Sequence, residues 1–333
     1  MENNWSPKGG YMKPKFKFSF PSGRHLFGRV ICAGVVLLFA SSAQAQNLFV
    51  ANSSGDLDIS GKGDGYIYEF TSEGARSTFA SGLDDPSGLA FNSAGNLYVA
   101  NASFASGGGG YITEITPSGT QNTFASGLNH PGALAFDSAG NLFAVDSGNI
   151  YEFTPDGTES IFVSGLSANA LAFDRAGNLF ATDNLGGNIY KFTPEGTEST
   201  FASGLNNLNG LAFNNLGNLF VPNAFLSFGV ATITEITPSG TQSVFASGFN
   251  NFGALAFDNA DNLFAVDFFR RNIYEFTPDG TESTFASGLL YPPFALAFQP
   301  TPEPSVLVLL AVGAFAFFAA RRLCTIPWSS LAR

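Results

Sequence analysis

Four short patterns each recur six times between residues 47 and 298, always in the same order. The first is Asn-Leu-aromatic, beginning at Asn47, Asn96, Asn141, Asn178, Asn218 and Asn262, so that successive copies start 49, 45, 37, 40 and 44 residues apart. The second centres on Ile67, Ile112, Ile150, Ile189, Ile233 and Ile273, as in Asn149-Ile150-Tyr151-Glu152-Phe153. The third is Phe-Ala/Val-Ser-Gly, at Phe79, Phe124, Phe162, Phe201, Phe245 and Phe285. The fourth is Leu-Ala-Phe, beginning at Leu89, Leu134, Leu171, Leu211, Leu255 and Leu296. A chain with such a period folds as a series of like units, each burying its apolar face against its neighbours.

Each pattern is a short run of β-branched and aromatic residues bounded by turn residues, which favours strands over helices. Thr154-Pro155-Asp156-Gly157 and Thr277-Pro278-Asp279-Gly280 place Pro and Gly where a type I turn takes them. Ser138-Ala139-Gly140-Asn141 supplies a glycine for the positive φ of a tight hairpin. Four strands per unit of about 40–45 residues is the period of a propeller blade. The expected fold class is all-β, a six-bladed β-propeller over residues 46–300 with four antiparallel strands per blade. The chain enters on an Asn-Leu-Phe strand and leaves on a Leu-Ala-Phe strand, so the first unit lacks the strand that the last has to spare. Pairing them closes the ring through one composite blade. The repeated Leu and Phe are expected to fill the spaces between blades, each contributing roughly 1.5–3 kcal/mol when fully buried.

The segment from Gly132 to Asp146, Gly-Ala-Leu-Ala-Phe-Asp-Ser-Ala-Gly-Asn-Leu-Phe-Ala-Val-Asp, resembles an NHL repeat, and a degraded form of it recurs across residues 47–299. The resemblance implies a propeller and, more loosely, kinship with the gluconolactonase-type superfamily. It does not fix a function.

The two ends read as processing signals. Lys8, Lys13, Lys15, Lys17, Arg24 and Arg29 precede the apolar run Val30–Ala40 and then Ser41-Ser42-Ala43-Gln44-Ala45. A basic region, a short apolar stretch and an Ala-x-Ala site make residues 1–45 a secretory signal peptide, cut by signal peptidase after Ala45; an uncleaved anchor is the alternative, and translation beginning at Met12 is a further one. At the other end, Thr301-Pro302-Glu303-Pro304 leads into the apolar segment 305–320, then Arg321-Arg322, with residues 323–333 beyond. Sixteen residues at ~1.5 Å each give a marginal membrane helix of about 24 Å, with the arginines on the cytoplasmic side. This order resembles the PEP-CTERM sorting signal of Gram-negative bacteria, with Pro302, Glu303 and Pro304 as the motif and Arg321 and Arg322 as the basic cluster. The resemblance implies recognition by an exosortase, at least a transient membrane tether, and an address at the cell surface or in the extracellular matrix. The eleven residues past the arginines depart from the usual pattern. A plain transmembrane anchor is the alternative.

Charge excludes one class of partner. Residues 46–300 carry six basic side chains (Lys62, Arg76, Arg175, Lys191, Arg270 and Arg271) against 24 acidic ones, a balance of −18 that repels phosphate backbones, so nucleic acid is not expected to bind. Cys32 and Cys324 lie outside these residues, which leaves no cysteine nucleophile and no thiolate zinc site, and His130 is their only histidine, so that a serine triad would rest on it alone and is not expected.

With Leu-Ala-Phe innermost, the loops before it and the loops after Asn-Leu-Phe share one face. The second set opens with Asn52, Asn101, Asp146, Asp183, Asn223 and Asp267, side chains suited to capping loop backbone. The residues two before each inner Leu are expected to ring the channel mouth: Ser87, Gly132, Asn169, Asn209, Gly253 and Phe294. Of these, Ser87, Asn169, Asn209 and Phe294 are the ligand candidates. Gluconolactonase-like enzymes hold a divalent metal there with carboxylate and amide oxygens, and that resemblance maps Asn209, in Leu208-Asn209-Gly210-Leu211. The ring contains neither Asp nor Glu, and a metal needs charge-neutralising ligands. Separately, Asp56-Leu57-Asp58-Ile59-Ser60-Gly61-Lys62-Gly63-Asp64 resembles a calcium loop, with Asp56, Asp58, Ser60 and Asp64 as oxygen donors for a weakly held Ca²⁺; an acidic loop without metal is the alternative. The expected function is that of an exported, non-enzymatic binding or structural module, with exopolysaccharide or another envelope component as its partner. The competing class is a metal-dependent gluconolactonase-like hydrolase or lyase working at the channel mouth.

Overall fold

Every repeated pattern forms a strand. A computed structural model describes residues 46–57, 63–102, 109–183, 185–224, 231–249 and 252–301, all within the unit Ala43–Pro302. The strands are β1 (Leu48–Leu57), β2 (Gly63–Phe70), β3 (Arg76–Leu83), β4 (Pro86–Phe91), β5 (Leu97–Asn101), β6 (Gly110–Ile115), β7 (Gln121–Leu128) and β8 (Leu134–Phe136). There follow β9 (Leu142–Asp146), β10 (Asn149–Phe153), β11 (Glu159–Ser164), β12 (Leu171–Phe173), β13 (Leu179–Asp183), β14 (Asn188–Phe192), β15 (Glu198–Ala202) and β16 (Ala212–Phe213). The last are β17 (Leu219–Ala224), β18 (Ala231–Ile236), β19 (Gln242–Phe249), β20 (Phe252–Phe257), β21 (Leu263–Asp267), β22 (Asn272–Phe276), β23 (Glu282–Ala286) and β24 (Pro293–Phe298).

They assemble into six sheets of four antiparallel strands, the architecture of a six-bladed β-propeller. Blade 1 is the composite one, in the order β24-β1-β2-β3, and blades 2 to 6 follow in sequence as β4–β7, β8–β11, β12–β15, β16–β19 and β20–β23. Closure rests on the ladder between β24 and β1, in which Leu48 faces Phe298 and Val50 faces Leu296. Two further bonds extend it: Gln299 N donates to Asn47 O at 3.0 Å, and Gln46 Nε2 to Gln299 O at 2.8 Å. The Leu-Ala-Phe strands line the centre, each touching its counterpart in the neighbouring blades. Their approach is close: a Cβ on Gly88 would sit 2.1 Å from Gly132 O of the next blade, so only glycine fits there.

The core lies between blades rather than at one centre. The six Ile of the second pattern are completely buried, as are the Leu of the first pattern to within 1%. The aromatic residue of each Asn-Leu-aromatic pattern is met edge-on by two others, one from the outer strand of its own blade and one from the inner strand of the next. Phe49 meets Phe79 at 4.9 Å and Phe91 at 5.0 Å; Phe220 meets Phe245 at 5.1 Å and Phe257 at 5.0 Å; the other four blades repeat the arrangement. Such contacts are worth roughly 0.5–1.5 kcal/mol each beyond the area they bury. The aromatic stripe is therefore core, as its spacing predicted.

Residues 1–45, with both candidate start codons and the signal peptide, lie outside the described residues, as do Pro302, Glu303, Pro304, the segment 305–320, Arg321, Arg322 and residues 323–333. Among the described residues no helix is long and apolar enough to cross a membrane.

Candidate functional site

The loops before the inner strands and those after the second strands share one face and are stitched together by Asn and Asp side chains. Asn101 Oδ1 accepts from Asp84 N at 3.2 Å, Asp146 from Asn129 N at 2.9 Å, and Asn223 Oδ1 from Asn206 N at 3.0 Å. Asp183 accepts from Leu185 N and Gly186 N within its own turn, and Asp267 from Arg270 N at 2.9 Å and Arg270 Nη1 at 3.0 Å. Asn52 Nδ2 donates to Tyr291 O at 2.6 Å. These six side chains hold loop backbone, the role their position suggested.

At the centre of this face is a cavity of about 620 Å³. All six residues expected to ring the channel mouth line it: Ser87, Gly132, Asn169, Asn209, Gly253 and Phe294. The channel continues below them as a narrower space of about 100 Å³ between the inner strands. Two of the ring contacts run between blades. Ser87 Oγ donates to Pro131 O at 2.7 Å, and Asn169 Nδ2 to Asn209 Oδ1 at 3.1 Å. The backbone under Asn169 is fixed by Thr182 Oγ1, which accepts from Asn169 N and Ala170 N, each at 3.0 Å. That leaves Asn169 Oδ1 and Asn209 Nδ2, an acceptor and a donor, without a protein partner among the described residues.

The wall opposite is aromatic. Phe294, 43% exposed, packs edge-on against Phe268 at 5.5 Å. Phe268 was not legible as a site residue from the sequence, although its position just after Asp267 marks it; Ser147 enters the cavity from the same position after Asp146. His130 and Asn129 complete the rim, with His130 Nδ1 2.8 Å from Asn129 Oδ1.

Among the described residues no Asp, Glu, Lys or Arg lines this cavity. Asp146 and Asp267 are buried, 4% and 0% exposed, and both are committed to loop atoms. A divalent metal of the gluconolactonase kind needs anionic oxygens at the mouth. The polar groups lining it, the carboxamides of Asn129, Asn169 and Asn209, the hydroxyls of Ser87, Ser147 and Ser167 and the single imidazole of His130, include no carboxylate among the described residues and do not fit such a metal. Among the described residues no group of three or more His, Cys, Asp or Glu side chains is placed to hold a metal. The calcium-loop residues Asp58 and Ser60 lie outside the described residues; Asp56 and Asp64 are placed only as backbone of β1 and β2.

The C-terminal tail matches the PEP-CTERM protein-sorting motif over residues 300–322, which marks an exported, surface-directed protein processed by an exosortase. No curated protein matches the chain. Among solved structures, a gluconolactonase from Xanthomonas campestris is 17% identical, with a TM-score of 0.52, over 60% of this chain and 75% of that one. A virginiamycin B lyase from Staphylococcus aureus is 15% identical, with a TM-score of 0.52, over 73% and 85% respectively. The PQQ-bound aldose sugar dehydrogenase from Streptomyces coelicolor is 17% identical, with a TM-score of 0.55, over 65% and 85%. At these identities the likeness is one of fold.

Proposed function

We propose that this exported propeller is a binding module whose channel mouth takes a neutral, hydroxyl-rich ligand, a short stretch of saccharide from the cell envelope or its matrix. The observation that supports this reading most is the lining of the mouth: among the described residues it has no Asp, Glu, Lys or Arg, yet sets free carboxamide atoms of Asn169 and Asn209 opposite the rings of Phe294 and Phe268. A sugar ring has hydroxyls for the first and a C–H face for the second, and pockets that fix orientation with a few polar groups against apolar walls are the usual form of a small-ligand site. The sorting motif supports an address where such polymers are found.

The test is calorimetry of the purified full chain with cellotriose and maltotriose. Binding of either is expected, weakened at least tenfold by Phe294→Ala and by Asn169→Ala; failure of both sugars, or no effect of either substitution, overturns the reading. A second reading, a metal-dependent lactone hydrolase, draws on the propeller neighbour described as a gluconolactonase and on Asn209 at the mouth. Lactone turnover with added divalent metal, lost in Asn209→Ala, would favour it instead.

A further inference from the structure

The repeat puts one side chain of each third strand opposite the buried aromatic of the second. In five blades it is glutamate: Glu69 faces Phe49, Glu114 faces Tyr98, Glu152 faces Phe143, Glu235 faces Phe220 and Glu275 faces Phe264. In blade 4 it is Lys191, facing Phe180. The hairpin beside it departs in the same sense. Arg175 stands where the other hairpins carry Ser93, Ser138, Asn215 and Asn259. The remaining Lys and Arg side chains among the described residues, Arg76, Arg270 and Arg271, lie on blades 1 and 6.

Both departures open onto one crevice, a space of about 480 Å³ between blades 4 and 5 on the face opposite the channel mouth. Its wall is the aromatic trio of Phe180, Phe201 and Phe213, with ring centres 4.9 and 5.0 Å apart across Phe180. Lys191 Nζ stands 5.6 Å from the centre of the Phe180 ring and 3.9 Å from Asp174 Oδ2. Arg175 Nη2 donates to Asn215 Oδ1 at 2.7 Å, a neutral acceptor. Among the described residues, Arg175, Lys191 and Asp174 are the only charged ones lining the crevice, which gives their lining one net positive charge. The matching crevice between blades 6 and 1 is smaller, about 290 Å³, and carries Asp258 and Glu275 instead.

We infer that the crevice between blades 4 and 5 is a second ligand site, for a monoanion whose carboxylate is carried on a ring with an apolar face. Arg175 and Lys191 hold the carboxylate, the guanidinium offering a planar fork to its two oxygens. The ring lies against the half-buried Phe173, Phe201 and Phe213, Phe180 itself being buried beneath Lys191. One net positive charge on a body of −18 selects an anion of single charge, and against that background the crevice is a local focus of attraction. Sugar acids and aromatic acids share this chemistry.

Calorimetry of the full chain with glucuronate and phenylacetate, beside glucose and 2-phenylethanol as uncharged counterparts, tests it. At least one acid is expected to bind better than its neutral counterpart, the tighter one identifying the source. Lys191→Glu and Arg175→Ser each install the residue that other blades carry at that position, and blade 6 already holds a Glu beside an Asp there, so both variants keep the fold. Each is expected to weaken the acid at least tenfold while a single cooperative thermal transition is kept, Lys191→Glu melting somewhat lower at pH 7 because it sets a glutamate beside Asp174 as Glu275 stands beside Asp258. With the mouth disabled by Phe294→Ala, neutral counterparts binding as tightly as the acids, neither acid binding at low millimolar concentration, or Lys191→Glu and Arg175→Ser binding like the parent would overturn the site. Phe294→Ala, on the other face, leaves acid binding unchanged, so failure here and failure at the mouth are read separately.

Discussion

Within the repeat, single residues decide the local electrostatics. Asn47, Asn96, Asn141 and Asn218 donate through Nδ2 to the glutamate of their own blade at 2.6–2.9 Å. Tyr98, the one tyrosine in the aromatic column, adds a hydroxyl bond to Glu114 at 3.0 Å; burial, then the Glu114 charge, pushes its pKa up to about 12, so it stays a donor at any physiological pH. Blade 6 breaks the scheme: Asn262 turns to Asp258 Oδ2, and Glu275 loses that donor. Burial and the nearby Asp258 charge raise the Glu275 pKa above its ordinary value. The folded protein then holds this proton more firmly than the unfolded chain, so stability falls as pH rises from the ordinary value through the raised one. Glu275→Gln is expected to raise the melting temperature at pH 7, with the gain shrinking toward zero by about pH 4, where the carboxyl is protonated in both states. A variant melting lower at pH 7, or a gain that does not depend on pH, would contradict this. The column of residues opposite the aromatics is visible in the sequence once the six copies are aligned; that Lys191 and Arg175 open onto one crevice is not, because one lies on the third strand of blade 4 and the other in the hairpin between its first two, and blade 5 supplies the facing wall.

Each outer strand carries the same irregularity. Tyr68 pairs with Thr78 and Ile67 with Ala80, which leaves Phe79 as the extra residue of a β-bulge; Phe124, Phe162, Phe201, Phe245 and Phe285 are skipped in the same way. The bulge coincides with the ring that meets the buried aromatic of its own blade, and bulges at sheet edges also discourage pairing with another chain's edge. Strand and turn positions were legible from period and turn residues. The bulge was not, since Phe-Ala-Ser-Gly reads equally well as a regular strand; the hint was that its Phe recurs in a strand whose first half is polar. Phe220→Leu, which removes two edge-on contacts while keeping the site apolar, is expected to cost about 1–3 kcal/mol in urea unfolding. Phe269→Leu, at a ring 67% exposed on the mouth face, should stay within about 0.5 kcal/mol of the parent. Equal losses at the two positions would show that the trios do not carry the interface.

At the scale of the whole ring, the order of the patterns predicted the closure, because a chain that begins on its second strand and ends on a first strand has one way to complete its hydrogen bonding. The mouth was legible for the same reason: the strand order puts the residue two before every inner Leu on a common rim. Its aromatic wall needed the loops in place. The closing strand contributes on both flanks of blade 1, Ala295 packing toward blade 2 with Leu89 and Leu296 toward blade 6 with Phe264. Losing it therefore unzips a ladder and opens two interfaces at once, and removing a buried side chain such as Leu296 costs roughly 2–5 kcal/mol, cavity included, against a typical total of about 5–15 kcal/mol. Deletion of residues 294–300 is expected to abolish the cooperative thermal transition and to expose dye-binding apolar surface. Placement can then be separated from mere presence. In blade 3 the inner strand reaches the second through Asp137-Ser138-Ala139-Gly140-Asn141, and Phe298 and Asn47 end at the same spot in blade 1. A chain starting at Tyr291, joined after Phe298 to Asn47 through Asp-Ser-Ala-Gly and ending at Leu290, has six contiguous blades and no strand from the far terminus. It should regain a single transition, melting below the parent because blade contacts alone then shut the ring. A deletion variant melting like the parent would show that the ladder between β24 and β1 is dispensable.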